Sequence, residues 1–189
     1  SSSMRRAAGD GGTKLDAVTR AARALLDEFD PGNSGGRVAI AAFNHRSWLV
    51  QPLTQDRALL DAALDKLPGQ IEEGTRLDLG LLEGRKALSA LTPGGTRAMV
   101  LFTDGLPNRI PTPEAGGSME DVVIEVAAEV RAQGIVIHTV GYGRENAPDL
   151  AARIVPRLLI AIAGGTGGFH QTAAAGVLAV DLLDAHPKQ

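Results

Sequence analysis

The chain has no cysteine, which excludes a disulfide framework and any thiolate zinc site. It does not fix the compartment, because reduced and oxidising locations both tolerate the lack. Aromatics are nearly as scarce: Trp48 and Tyr142 are the only tryptophan and tyrosine, too few for a surface that stacks the bases of a single strand. Positive charge is not in excess either. The net charge is −3 and no cluster of Lys and Arg stands out, so the electrostatic footprint of a nucleic-acid binder is missing. No apolar run approaches the roughly 18 residues that span a bilayer. There is no secretory signal pattern, no internal repeat and no low-complexity tract.

What is present is the composition of a globular protein. With 44% hydrophobic and 22% charged residues in 189, the chain can bury a core as one domain, residues 1–189. Strand and helix signals alternate along it. Leu15, Val18, Ala22, Leu25, Leu26 and Phe29 recur at helical spacing until Pro31-Gly32-Asn33 stops them. Arg37–Phe43 is an apolar run suited to a buried strand, and Ser47–Gln51 follows closely enough to pair with it as a hairpin. Helical periodicity returns at Leu59–Leu67 and Leu77–Leu91.

Arg97–Thr103 is the clearest buried strand and ends in Asp104-Gly105. Ser118 and Asp121 have the spacing of a capping box that opens a helix, Gly134 closes it, and Ile135–Val140 is the next strand. A helix through Leu158–Ala163, a short strand near Phe169-His170 and a last helix near Val177–Leu183 complete the pattern. Helices between strands predict an α/β fold, a doubly wound, mostly parallel sheet with helices on both faces and one antiparallel edge. The stretch Leu106–Gly117 reads as a stiff, proline-rich loop beside Asp104, either functional or a plain surface insertion.

Three short segments carry the chemistry. Ser1-Ser2-Ser3-Met4 reads as the tail of an Asp-x-Ser-x-Ser-Met signature. Gly74-Thr75-Arg76-Leu77-Asp78-Leu79-Gly80 and Val100-Leu101-Phe102-Thr103-Asp104-Gly105 follow in order. Their hydroxyls and carboxylate are hard oxygen donors, a set that suits Mg²⁺, or Mn²⁺ or Ca²⁺, rather than a soft metal. Asp104 ends a parallel strand, and ligands of open α/β sheets collect at that edge. Each piece alone has a plainer reading: solvated serines, a helix N-cap threonine, a turn aspartate. Their order on a matching β/α pattern is what makes the set specific.

In that order the segments resemble the von Willebrand factor type A domain with its metal-ion-dependent adhesion site. The resemblance implies that Ser1, Ser3, Thr75 and Asp104 hold the ion. It also implies that a protein partner presenting Asp or Glu completes the coordination, in adhesion or complex assembly. It favours an extracytoplasmic or membrane-associated parent protein. The family's aspartate two positions before Ser1 is not in the chain, nor is the first central strand. The expectation is therefore an N-terminally truncated domain in which Arg37–Phe43 and Arg97–Thr103 flank a vacancy, with Mg²⁺ binding weak or absent. The alternatives are a degenerate scaffold that binds no metal and a metal-dependent hydrolase. Against the hydrolase, no Asp-x-Asp pair, Gly-x-Ser-x-Gly elbow or general base accompanies Asp104.

Other residues read as structural. His45, His138, His170 and His186 have no metal-ligand spacing. Gly164–Gly168 looks like a phosphate loop but follows a helix and lacks the Walker lysine, so it reads as a helix stop. Asp78 reads as a solvated first-turn carboxylate.

Overall fold

A computed structural model describes residues 2–7, 12–91, 95–104, 107–111, 116–142 and 156–173. After a 3-10 turn at Ser2–Arg5, helix α1 (Lys14–Phe29) begins at a reciprocal cap. The Thr13 hydroxyl accepts from the Asp16 amide, and the Asp16 carboxylate accepts from the Thr13 amide. Asp30 in a left-handed conformation (φ 43) ends α1 and leads into the single turn α2 (Pro31–Ser34). The order continues β1 (Val38–Phe43), β2 (Ser47–Thr54), α3 (Arg57–Lys66), α4 (Leu77–Ser89), β3 (Arg97–Thr103), α5 (Met119–Ala132), β4 (Ile135–Tyr142), α6 (Pro156–Thr166) and β5 (His170–Ala173). The Ser118–Asp121 box opens α5 as the spacing predicts.

Strands β3, β4 and β5 form a parallel ladder, with Arg97 opposite Ile135 and Thr139 opposite His170. β1 and β2 form a separate antiparallel hairpin. β2 runs on to Thr54 and includes Pro52, a residue that an outer strand tolerates because its missing N–H need not enter the ladder. Among the described residues β1 is not hydrogen-bonded to β3, the separation expected from the sequence. The two strands differ from β4 accordingly: β4 is buried along most of its length, whereas no residue of β1 is fully buried.

Period-two alternation sends successive side chains of β3 and β4 into two cores. Leu101, Ile135 and Ile137 pack with Leu77 and Leu81 of α4, Val123 and Val130 of α5, and Leu158 and Ile162 of α6. Val100, Phe102, Val140 and Tyr142 face the other way, onto Met4 and the Leu15–Val18 end of α1. The far end of α1, at Ala22 and Leu26, packs with Leu60 and Leu64 of α3 and with Val38 and Ile40 of β1. Helices thus cover both faces, and each fully buried Leu, Ile or Val contributes roughly 1.5–3 kcal/mol of burial.

The glycine-rich turn is a helix end, with one correction. Gly164 and Gly165 lie inside α6, which runs to Thr166 and stops at Gly167 (φ 85). The Thr166 hydroxyl accepts from the Ile137 amide at 2.8 Å, and a Cβ on Gly168 would lie 2.0 Å from the Ile137 carbonyl oxygen. Thr166 and Gly168 thus seat the end of α6 against β4. The helix expected near Val177–Leu183 lies outside the described residues.

Candidate functional site

Asp104 follows the last residue of β3 and is 1% exposed. Parallel pairing of β3 to β4 places it at the carboxyl edge of the sheet, where the turn Ser2–Arg5 and the N-terminus of α1 also arrive. The Ser3 hydroxyl donates to Asp104 Oδ1 at 2.8 Å, and the Lys14 ammonium donates to Asp104 Oδ2 at 3.2 Å. Ser3 and Lys14 are buried as well.

Lys14 is the first residue of α1. An ammonium there opposes the positive end of the helix dipole, and taking it out of water costs several kcal/mol unless it is paired. Its side chain is only 10% exposed, so Asp104 is what makes the position tenable. Sequence reasoning missed Lys14. A lysine at the first position of a capped helix, where an acidic residue is the favoured choice, is the signal that could have found it.

Thr75 sits before α4 and is buried. Gly74, at φ 102, lets this loop press against the β1–β2 turn, because a Cβ there would lie 3.1 Å from His45 backbone atoms. The Thr75 amide donates to Asn108 Oδ1 at 3.0 Å and the Asn108 amide donates to the Thr75 carbonyl at 3.0 Å. On the other side, the Arg76 amide donates to the Asn44 carbonyl at 2.8 Å. The segments after β1, before α4 and after β3 are therefore stitched together. Among the described residues, the Thr75 hydroxyl makes no hydrogen bond to Ser3 or Asp104. The structure joins Ser3 to Asp104 directly and puts Thr75 on the loop clasped to Asn108. Ser1 lies outside the described residues.

Two further residues depart from expectation. Asp78 is buried, not solvated: Arg76 forks onto it, with Nε at 2.8 Å and Nη2 at 2.6 Å. That hydrogen bond raises the Arg76 pKa above its ordinary value, against an opposing effect of burial. Asn44 is 1% exposed, and its Nδ2 has no hydrogen-bond partner among the described residues, although its Oδ1 accepts from the Arg46 amide. Neither Asn44 nor Asn108 stands out in the sequence, since asparagine after a strand is ordinary turn chemistry.

His138 and His170 make structural contacts, and His186 lies outside the described residues. His138 packs on Phe169 with ring centroids 4.3 Å apart, and its Nδ1 accepts from the Phe169 amide. His170 Nδ1 lies 2.9 Å from the Thr139 hydroxyl. That hydroxyl gives its own proton to the Leu159 carbonyl, so it accepts from the ring. Burial lowers the His170 pKa, partly opposed by a hydrogen bond to the Thr139 backbone.

Among the described residues no group of three or more His, Asp or Glu gathers to hold a metal. A divalent cation here would rely on hydroxyls around one carboxylate. In kind the donors fit such an ion: Ser3, Thr75 and Asp104 offer hard oxygens, all buried, two of them already in contact. The Lys14 ammonium on Asp104 opposes it in charge.

A doubly wound α/β domain with hydroxyls and an aspartate at its carboxyl edge defines the class. A family profile for the von Willebrand factor type A domain matches residues 1–106, and the chain belongs to that family. A search of curated proteins returned no match. Solved structures show the same fold. BatB from Bacteroides thetaiotaomicron is 20% identical with a TM-score of 0.71, over 93% of this chain and 87% of its own. The pilus adhesin SpaC from Lactobacillus rhamnosus GG is 17% identical with a TM-score of 0.73, over 98% of this chain and 28% of its own. Proximal thread matrix protein 1 from the mussel byssus, solved with a zinc-occupied metal-ion-dependent adhesion motif, is 21% identical with a TM-score of 0.66, over 90% and 39%. No described helix is long and apolar enough to cross a membrane.

Proposed function

We propose that the domain is a protein-binding module whose docking point is the rim of Ser3, Thr75 and Asp104, with a divalent cation, Mg²⁺ in the first place, as the element that a partner's acidic side chain engages. The observation that carries this reading is the 2.8 Å contact between a hydroxyl of the first motif and the aspartate of the third. Residues 101 positions apart in the chain meet here, which supports the ion site that the family resemblance implies. When bound, the cation supplies positive charge with an open coordination position. The chain's own part is to present neutral hydroxyls beside a single carboxylate. Such a set leaves that charge largely uncompensated and ready for an incoming Asp or Glu. Ser1 would add a further hydroxyl.

Adhesion or complex assembly, rather than catalysis, is the role that the family favours for this rim. The pilus adhesin, the byssus protein and an aerotolerance-related membrane protein among the similar structures favour an extracytoplasmic or membrane-associated setting.

The test uses a short peptide containing aspartate and its asparagine analogue. The aspartate peptide should bind in Mg²⁺ and be released by a chelator, with the far-UV spectrum of the domain unchanged. Asp104→Ala should abolish the binding. Equal binding of the two peptides in excess chelator refutes metal-mediated recognition and leaves a metal-free scaffold as the function.

A further inference from the structure

The Lys14–Asp104 pair bears directly on how that rim works. Lys14 is in place where charge matters most: its ammonium contacts one oxygen of the only carboxylate that the site residues supply, while Ser3 holds the other. A divalent ion drawing on Asp104 would meet a full positive charge only 3.2 Å from Oδ2. Two cations sharing one buried carboxylate leave net positive charge in a poorly hydrated place, which is strongly unfavourable.

Resting on the proposed metal site, we infer that the Lys14 ammonium is an internal counter-cation: it neutralises Asp104 when no divalent ion is bound and must leave the carboxylate when one binds. Binding of metal and withdrawal of Lys14 are then one equilibrium. The lysine needs little room to leave. Its side chain is a flexible four-carbon stem on the first residue of a helix, and rotation about that stem moves Nζ without breaking the Thr13–Asp16 cap that anchors the backbone.

The coupling has two effects. It lowers the apparent affinity for the ion, because each binding event must first break the ion pair. It also keeps the metal-free domain folded, because Asp104 is never buried without a partner. A metal-dependent rim with such a lysine is closed to weak or scarce cations and opens when the ion outweighs the pair, a balance that a partner carboxylate shifts further towards the open state.

The experiment uses the full chain and Mn²⁺ as probe. By calorimetry, Lys14→Met should bind Mn²⁺ about tenfold more tightly than the parent, within the range usual for coupled sites. Asp104→Asn in that background should remove the binding. A second measurement needs no variant. The chain has four lysines, Lys14, Lys66, Lys86 and Lys188, so amine acylation followed by mass spectrometry reads Lys14 against three internal references. Lys14 should be protected without metal and become labelled as Mn²⁺ is added. This decides the matter even if Lys14→Met does not fold. Equal Mn²⁺ affinity of parent and variant, or Mn²⁺ binding that leaves Lys14 labelling unchanged, overturns the counter-cation and leaves the metal site standing. Absence of Mn²⁺ binding in both proteins removes the metal site itself, and the inference with it.

Discussion

Asp104→Ala is the most informative single change for stability. In the folded chain Asp104 is 1% exposed and the Lys14 side chain 10%, so the substitution leaves an ammonium buried beside a helix N-terminus with nothing to balance it. Breaking a buried pair by removing one partner costs about 3–5 kcal/mol. For a domain of this size that is a fall in Tm of roughly 6–20 °C, or, in urea with a slope near 2 kcal/mol/M, a midpoint lower by roughly 2 M. Lys14→Met strands the carboxylate instead and should cost a similar amount. The double variant Lys14→Met/Asp104→Ala strands neither, so it should be more stable than the sum of the single losses implies, by about 2 kcal/mol or more. Urea unfolding of the four proteins, in chelator and at constant pH, measures this cycle. If Asp104→Ala costs less than about 1 kcal/mol, or if the two losses simply add, the pair is not a buried, coupled one and the reasoning from its geometry is wrong.

Other expectations follow from the same structure. Thr13→Ala removes the cap of α1 and should cost about 1 kcal/mol in urea unfolding, with Thr13→Asp largely neutral. Gly168→Ala should cost about 3 kcal/mol or more, since the added carbon would meet the Ile137 carbonyl of β4; a loss below about 0.5 kcal/mol would show that α6 and β4 can part. His170 has a folded pKa below its unfolded value of 6.5, so folding disfavours its protonation. Its contribution is fully present above about pH 6.5 and is lost as pH falls from there through the folded value. The parent should therefore lose more stability over that window than His170→Gln does, as thermal melts across the range will show. Asp78→Asn should lower stability through the buried Arg76 fork while leaving Mn²⁺ affinity within about twofold, which separates it from the rim residues.

Much of the fold is legible in the chain because its signals are local. The apolar runs Arg97–Thr103 and Ile135–Val140 are β3 and the body of β4, and the Ser118–Asp121 spacing is the cap of α5. Where a local signal met a tertiary contact, the contact decided. Gly164-Gly165 reads as a stop, yet α6 continues through it, because Ile162 and Ala163 are buried and Thr166 is held by Ile137. Asp78 reads as solvated because its neighbour in sequence, Arg76, could as easily have pointed to water. At the site, motif order drew attention to Ser3 and Asp104, which share a hydrogen bond. Lys14 was not legible in that way: its partner is 90 residues distant, and no periodicity links a helix start to a strand end. Asn44 and Asn108 were hidden for the same reason, since their roles rest on backbone contacts across loops.

Helix α1 has 16 residues and so is a rod about 24 Å long. One end carries Lys14 at the rim. The other packs on α3 and on β1 of the hairpin, which shares no ladder hydrogen bonds with β3 among the described residues. Strand ladders resist sliding, whereas side-chain packing yields to small shears. A single straight element therefore joins the surroundings of Asp104 to the hairpin at the opposite end of the helix.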